Sequence, residues 1–134
     1  MATIEQAIRT MLINGTTLSA GTPGVPDARV THGYRLQDSP LPAVTYSVDT
    51  REDASVSGGI QQSQITVTAI ADTSEDALAI AEKVRTALAA GTYSSIVIQV
   101  VIITNQFLQP EVFGISDEQE PAQAVTNATI YWST

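Results

Sequence analysis

The stretch ITVTAIADTSEDALAIAEKVRTALAAG, residues 65–91, changes its period at one point. Before Asp72 the pattern alternates, with Ile65, Val67 and Ala69 on one side and Thr66 and Thr68, like Gln64 before them, on the other. That is the two-residue repeat of a half-buried strand. After Asp72 the apolar residues Ala77, Ile80, Ala81, Val84 and Leu88 recur at helical spacing, which makes one stripe of an amphipathic helix. Thr73 or Ser74 caps it, and Glu75 and Asp76 fill a first turn whose unpaired N–H groups favour negative charge. Lys83 and Arg85 lie toward the other end, and Gly91 is expected to close the helix. Alanine dominates the stripe, so this helix can lie close against a sheet.

The other segments build on that junction. Thr3 and Gln6 have capping-box spacing. Ile4, Ala7, Ile8, Met11 and Leu12 follow at helical spacing, and Asn14-Gly15 stops them. Residues 16–27, rich in Thr, Gly and Pro, read as a loop with a mobile tip at 21–26. Residues 28–34 suit a short strand. Pro40-Leu41-Pro42 is expected to be extended, because proline fixes its own φ and biases the residue before it. Val44, Tyr46 and Val48 then alternate with Thr45, Ser47 and Asp49. A polar hairpin tip at about 50–59 joins this strand to the 60–71 strand. In the 96–108 run, Val97, Gln99, Val101 and Ile103 are expected to face one way and Ile98, Val100, Ile102 and Thr104 the other. Both sets are largely apolar, which predicts a central strand covered on both faces. Phe107 to Ile115 bends at Pro110, SDEQEPA is an acidic turn, and residues 125–132 form a last strand with Ile130 and Trp132 on one face. The expectation is a single α+β domain spanning residues 1–134, a mostly antiparallel sheet with two helices packed on it.

Composition narrows the function classes. The chain has 134 residues and a net charge of −8. Such a surface repels phosphate backbones and anionic lipids, so neither nucleic-acid grip nor membrane attachment is expected. With no cysteine there is no thiolate chemistry. The first residues mix Glu5 and Arg9 into an apolar pattern and do not read as a signal peptide. A soluble intracellular product is expected.

Candidate chemistry is sparse. His32 is the only histidine, and it reads as a surface or turn residue rather than a metal ligand. Two acidic clusters stand out: Asp49, Glu52 and Asp53, and then Asp117, Glu118 and Glu120. Their spacing does not match a calcium loop, and they read as solvated turns or as repulsive charge on a working surface. SVSGGI lacks the lysine and the strand-to-helix setting of a phosphate loop, and no G-x-S-x-G is present. Tyr131-Trp132 reads as sheet packing, since a stacking platform would need a basic groove. No catalytic, cofactor or metal site is expected.

In order, the helix IEQAIRTMLI, the loop TTLSAGTPGVPDARV, the segment HGYRLQDSPLPAVTYSVD and the strand-helix block SQITVTAIADTSEDALAIAEKVRTAL form a pattern. It resembles the small tail-completion or tail-terminator proteins of long-tailed bacteriophages and prophages. The matching motifs are the LP-led strand at Leu41 to Tyr46 and the strand-to-helix block at Ala71 to Arg85, and the resemblance runs from Ile4 to Leu88. The 21–26 loop is richer in Pro and Gly than the family's usual short connection.

The resemblance implies a structural virion protein without enzyme activity, made in the host cytoplasm and placed at the head-proximal end of the tail. It implies a homo-oligomeric ring, commonly a hexamer, that caps the tail tube, stops its polymerisation and joins the head connector or head-completion protein. DNA passes through such a ring without specific binding. Arg35, Leu36, Gln37, Asp38, Pro40 and Pro42 are candidate contacts with a neighbouring subunit or the tube. Asp49, Glu52, Asp53, Asp117, Glu118 and Glu120 are candidates to face the lumen. Six copies would carry about −48 in formal charge, which would keep phosphates from sticking. Another small virion part, a head-closure, connector or tube protein, is the alternative. A ligand-binding module or enzyme would need a pocket with convergent titratable groups.

Overall fold

The computed structural model describes residues 3–14, 17–21, 23–33, 40–53, 59–108 and 122–133. The chain forms α1 (Ile4–Ile13), one 3-10 turn (Asp27–Arg29), β1 (Val30–His32), β2 (Ala43–Asp53) and β3 (Gln61–Ala71). It continues with α2 (Ser74–Ala87), β4 (Gly91–Tyr93), β5 (Ile96–Leu108) and β6 (Ala122–Ser133). The six strands make one sheet in the order β1-β2-β3-β6-β5-β4. The α+β single domain stands, but the sheet is mixed. β1 runs parallel to β2, with Val30 beside Val44, and every other pair is antiparallel. The ten residues 33–42 give the chain room to travel back and enter β2 in the same direction, which a tight hairpin cannot do.

Both helices begin where their caps place them. In α1 the Gln6 N–H donates to Thr3 Oγ1 at 3.3 Å, and the Thr3 N–H donates to Gln6 Oε1 at 2.9 Å. This capping box satisfies two donors that the first turn leaves open. In α2 the cap is Thr73, whose Oγ1 accepts from the Asp76 N–H at 3.2 Å. The helix ends at Ala87, and Leu88 leaves helical geometry. Gly91 therefore does not close α2; it opens β4. Glycine suits that position for a different reason: a Cβ there would meet the Tyr93 hydroxyl oxygen at 3.1 Å.

One apolar core joins the elements. Ile4, Ile8, Met11 and Leu12 of α1 and Ile80, Ala81 and Val84 of α2 share it with Val44, Tyr46, Ile65, Val67, Ala69 and Ile130 of the strands. α2 lies against β3, β5 and β6, while α1 touches β1, β2, β4 and α2. The 17–25 loop is pinned to this core by Leu18 and Val25, both buried. Lys83 of α2 straps it down, donating to the carbonyl oxygen of Ala20 at 2.6 Å and to that of Pro23. Replacing Lys83 with Met keeps the apolar stem and removes the charged donor. It is expected to cost about 1.5–3 kcal/mol, measured by urea denaturation; no loss would mean that the strap is idle.

Three further expectations need correction. The hairpin tip is shorter than 50–59, because β2 runs on to Asp53 and pairs it with Gln61; a polar sequence can extend a ladder, since the pairing is made by the backbone. The 40–42 segment is not simply extended. Residues 41–42 bend, and the Leu41–Pro42 peptide bond is cis, an isomer that an X-Pro bond accepts readily.

The third concerns β5, which is not a central strand covered on both faces. It stands second from the border, and Val97, Val100, Ile102 and Phe107 are 38 to 47% exposed. Its register against β6 slips between Ile98 and Val100 and again between Ile103 and Asn105. Each slip is a bulge that inserts one residue and reverses the alternation. Val101 and Ile103 consequently pack toward the core with Ile98, while Val100 and Ile102 turn out with Val97.

Candidate assembly surface

Alternation gives the sheet two chemically different faces. On the face away from the core, Ser47 of β2 lies opposite Thr66 of β3, and Thr66 lies opposite Asn127 of β6. Farther along, Thr129 and Tyr131 of β6 lie opposite Ile102 and Val100 of β5, and Phe107 lies opposite Val125. Hydroxyls and amides occupy the middle of this face, and apolar side chains run along β5.

Asp49 is fixed on the polar part. The Thr66 hydroxyl donates to Asp49 Oδ2 at 2.7 Å, and Ser47 Oγ donates to Oδ1 at 3.3 Å. The Asn127 side-chain amide lies 3.0 Å from the same Thr66 oxygen. That hydroxyl has one hydrogen to share between the Asp49 carboxylate and Asn127 Oδ1, so the three side chains form one polar cluster. Thr104 Oγ1 of β5 donates to the Asn127 backbone carbonyl at 3.2 Å and ties β5 to the network.

The core side carries its own polar ties. Gln106 Nε2 of β5 donates to the Ala81 carbonyl of α2 and to Thr126 Oγ1 of β6, each at 3.0 Å. One side chain thus holds a strand, its neighbour and a helix together. Trp132 Nε1 donates to the buried Ser63 Oγ at 3.0 Å.

Of the candidate contact residues, Pro40 is exposed and Pro42 half-buried, while Arg35, Leu36, Gln37 and Asp38 lie outside the described residues. Of the acidic candidates, Asp49 is exposed. Glu52 and Asp53 continue β2 opposite Gln62 and Gln61, and Asp117, Glu118 and Glu120 lie outside the described residues. His32 is exposed and stacks on Tyr46, with ring centroids 5.3 Å apart. Burial raises the Tyr46 pKa above its usual value, against a smaller opposing pull from Arg9. Among the described residues no three His, Cys, Asp or Glu side chains gather where a metal could sit, and no helix is long and apolar enough to cross a membrane.

Sequence reasoning missed the work done by the cations. Arg9 donates to the carbonyls of Asp27 at 3.1 Å and Val30 at 3.4 Å, and Arg29 to that of Leu41 at 3.5 Å. Lys83 and Arg9 thus hold Ala20, Pro23, Asp27 and Val30 to the two helices, and Arg29 holds Leu41, two residues before β2, to the 3-10 turn. Nothing in the local pattern marks these residues, since backbone carbonyls leave no trace in the sequence.

Fold and surface define a small α+β domain with an amphipathic sheet, polar and apolar by turns on its outer face. No curated protein matches the chain. The family model for "Tail completion protein gp17" matches residues 6–130. The chain belongs to this tail completion family, a family of structural phage tail proteins rather than enzymes. It is a virion tail component, and its partners are other tail or head proteins.

Proposed function

We propose that the protein caps the head-proximal end of the tail tube as a ring, a hexamer, stops tube polymerisation and forms the surface that joins the head connector or head-completion protein. The observation that carries this reading is the family match across residues 6–130. In this reading both helices cover one face of the sheet and leave the other, with its loops, to partners. Arg35, Leu36, Gln37, Asp38, Pro40 and Pro42 contact the next subunit or the tube. Asp49, Glu52, Asp53, Asp117, Glu118 and Glu120 face the lumen.

Charge supports the lumen assignment. The net charge is −8, and Arg9, Arg29 and Lys83 are directed at backbone carbonyls. A surface left so acidic repels phosphates and lets DNA slide past.

The test is a phage lacking this gene. Tails of uncontrolled length and unjoined heads are expected by electron microscopy, and tails of normal length would refute the capping role. Light scattering and negative-stain imaging of the purified protein should show rings or monomers; long self-made cylinders would indicate a tube protein instead. A ring structure with the six acidic residues on the outer rim would remove the lumen assignment alone.

A further inference from the structure

We propose that β5 of one copy pairs antiparallel with β2 of the next, so that the sheet continues from subunit to subunit. This rests on the ring reading and assigns the surface that builds the ring.

Charge is the first argument. Residues 86–110 contain no Asp, Glu, Lys, Arg or His. β4 lies wholly inside that stretch, as does β5, and together they form one border of the sheet. Each copy carries −8, so a contact that sets acid against acid is costly, and one with an uncharged surface on one side avoids that cost. This border is such a surface, and it can approach a neighbour's acidic β2 without opposing acid to acid. A β2–β2 contact would set Asp49 and its acidic neighbours against themselves.

The strand borders are the second argument. β4 covers β5 only at Ile96–Ile98. Beyond that, among the described residues, nothing flanks the outer edge of β5 through Leu108. At the opposite border β1 covers β2 only at Val44–Tyr46, and among the described residues 47–53 have no outer neighbour. The free part of β5 spans about 33 Å. It carries none of the charges that normally discourage an edge from pairing, and Val100, Ile102 and Phe107 stand exposed along it.

Strand direction is the third. β2, β3, β6 and β5 are antiparallel in succession, so β2 and β5 run in opposite directions. Rotating a copy into line with the next sets β5 antiparallel to the neighbour's β2, a favourable ladder. The contact is head-to-tail, the kind that closes into a ring. A β5–β5 contact would stop at two copies.

The short border strands set the register. A neighbour's β1 must clear the end of β5 at Leu108, which brings that neighbour's Ser47 near Phe107. Both residues lie on the outer face of the sheet, as directly opposed residues must.

The chain has no cysteine, so a Ser47→Cys/Phe107→Cys double variant can be oxidised cleanly, both as purified protein and in assembled tails. A ladder of covalent multimers on a non-reducing gel is expected, with none from either single variant. No ladder in assembled tails, or rapid dimers from Phe107→Cys alone, would overturn the pairing. Ile102→Lys adds a charge at a site that is 47% exposed. It should leave the circular dichroism spectrum unchanged and weaken self-association at least tenfold; unchanged assembly would also overturn the pairing. Rings and normal tail lengths without the ladder would reject this interface alone. Wild-type protein that neither forms rings nor sets tail length would reject the ring reading itself.

Discussion

Replacing Trp132 with alanine is expected to destabilise the domain by about 3–5 kcal/mol, a large part of what holds a domain of this size folded. Trp132 sits near the end of β6, buried, opposite Gln61 of β3 and Ile98 of β5. Its indole N–H reaches diagonally to the Ser63 hydroxyl, itself fully buried. Removing the ring opens a cavity and leaves that hydroxyl without its partner. Ser63→Ala is the smaller counterpart: the ring stays, the indole N–H is orphaned, and about 1–3 kcal/mol is lost. Trp132→Phe keeps most of the volume and should fall below the alanine variant. Because the two residues share one bond, the Ser63→Ala/Trp132→Phe pair should cost less than the sum of its parts. Urea denaturation reads all four variants. A loss under about 1 kcal/mol for Trp132→Ala would contradict the burial and the bond together.

Ile80→Ala is expected to cost about 2–5 kcal/mol, whereas Leu78→Ala on the same helix should stay within about 0.5 kcal/mol of wild type. Both substitutions shorten a branched aliphatic side chain to a methyl group. Ile80 is fully buried, and Leu78 is 45% exposed. The contrast isolates the face that α2 turns toward β3, β5 and β6 from helix propensity, which alanine favours at both positions. Equal losses, or a larger loss at position 78, would mean that α2 meets the sheet with a different face.

Where periodicity was long and unbroken, the sequence carried the fold. Thr3 with Gln6, the 77–88 stripe, and the alternation in β2, β3 and β6 each encode burial at a fixed spacing. β5 escaped this logic because its two bulges reverse the phase within an apolar run, and an apolar residue looks the same on either face. β1 and β4, each three residues long, are too short to show a period. Their direction is set by pairing with distant residues. Gly91 looked like a helix stop because glycine serves both helix ends and close approaches to a ring. Of the candidate surface residues, Asp49 was visible as charge, but its hydroxyl partners Ser47 and Thr66 were visible only as generic outward residues of two strands. Which strands lie at the borders of the sheet was not legible at all, since that depends on strand order.

Lys83 is the chain's only lysine, and its amine is engaged by two loop carbonyls. Acylating reagents aimed at side-chain amines therefore have a single target in this chain, and they are expected to react with it faster when the loop lets go. Modification also keeps the loop from re-engaging that amine as a cation. The acylation rate becomes a clock for loop release, readable by mass spectrometry in the free protein and in the finished tail without altering a residue.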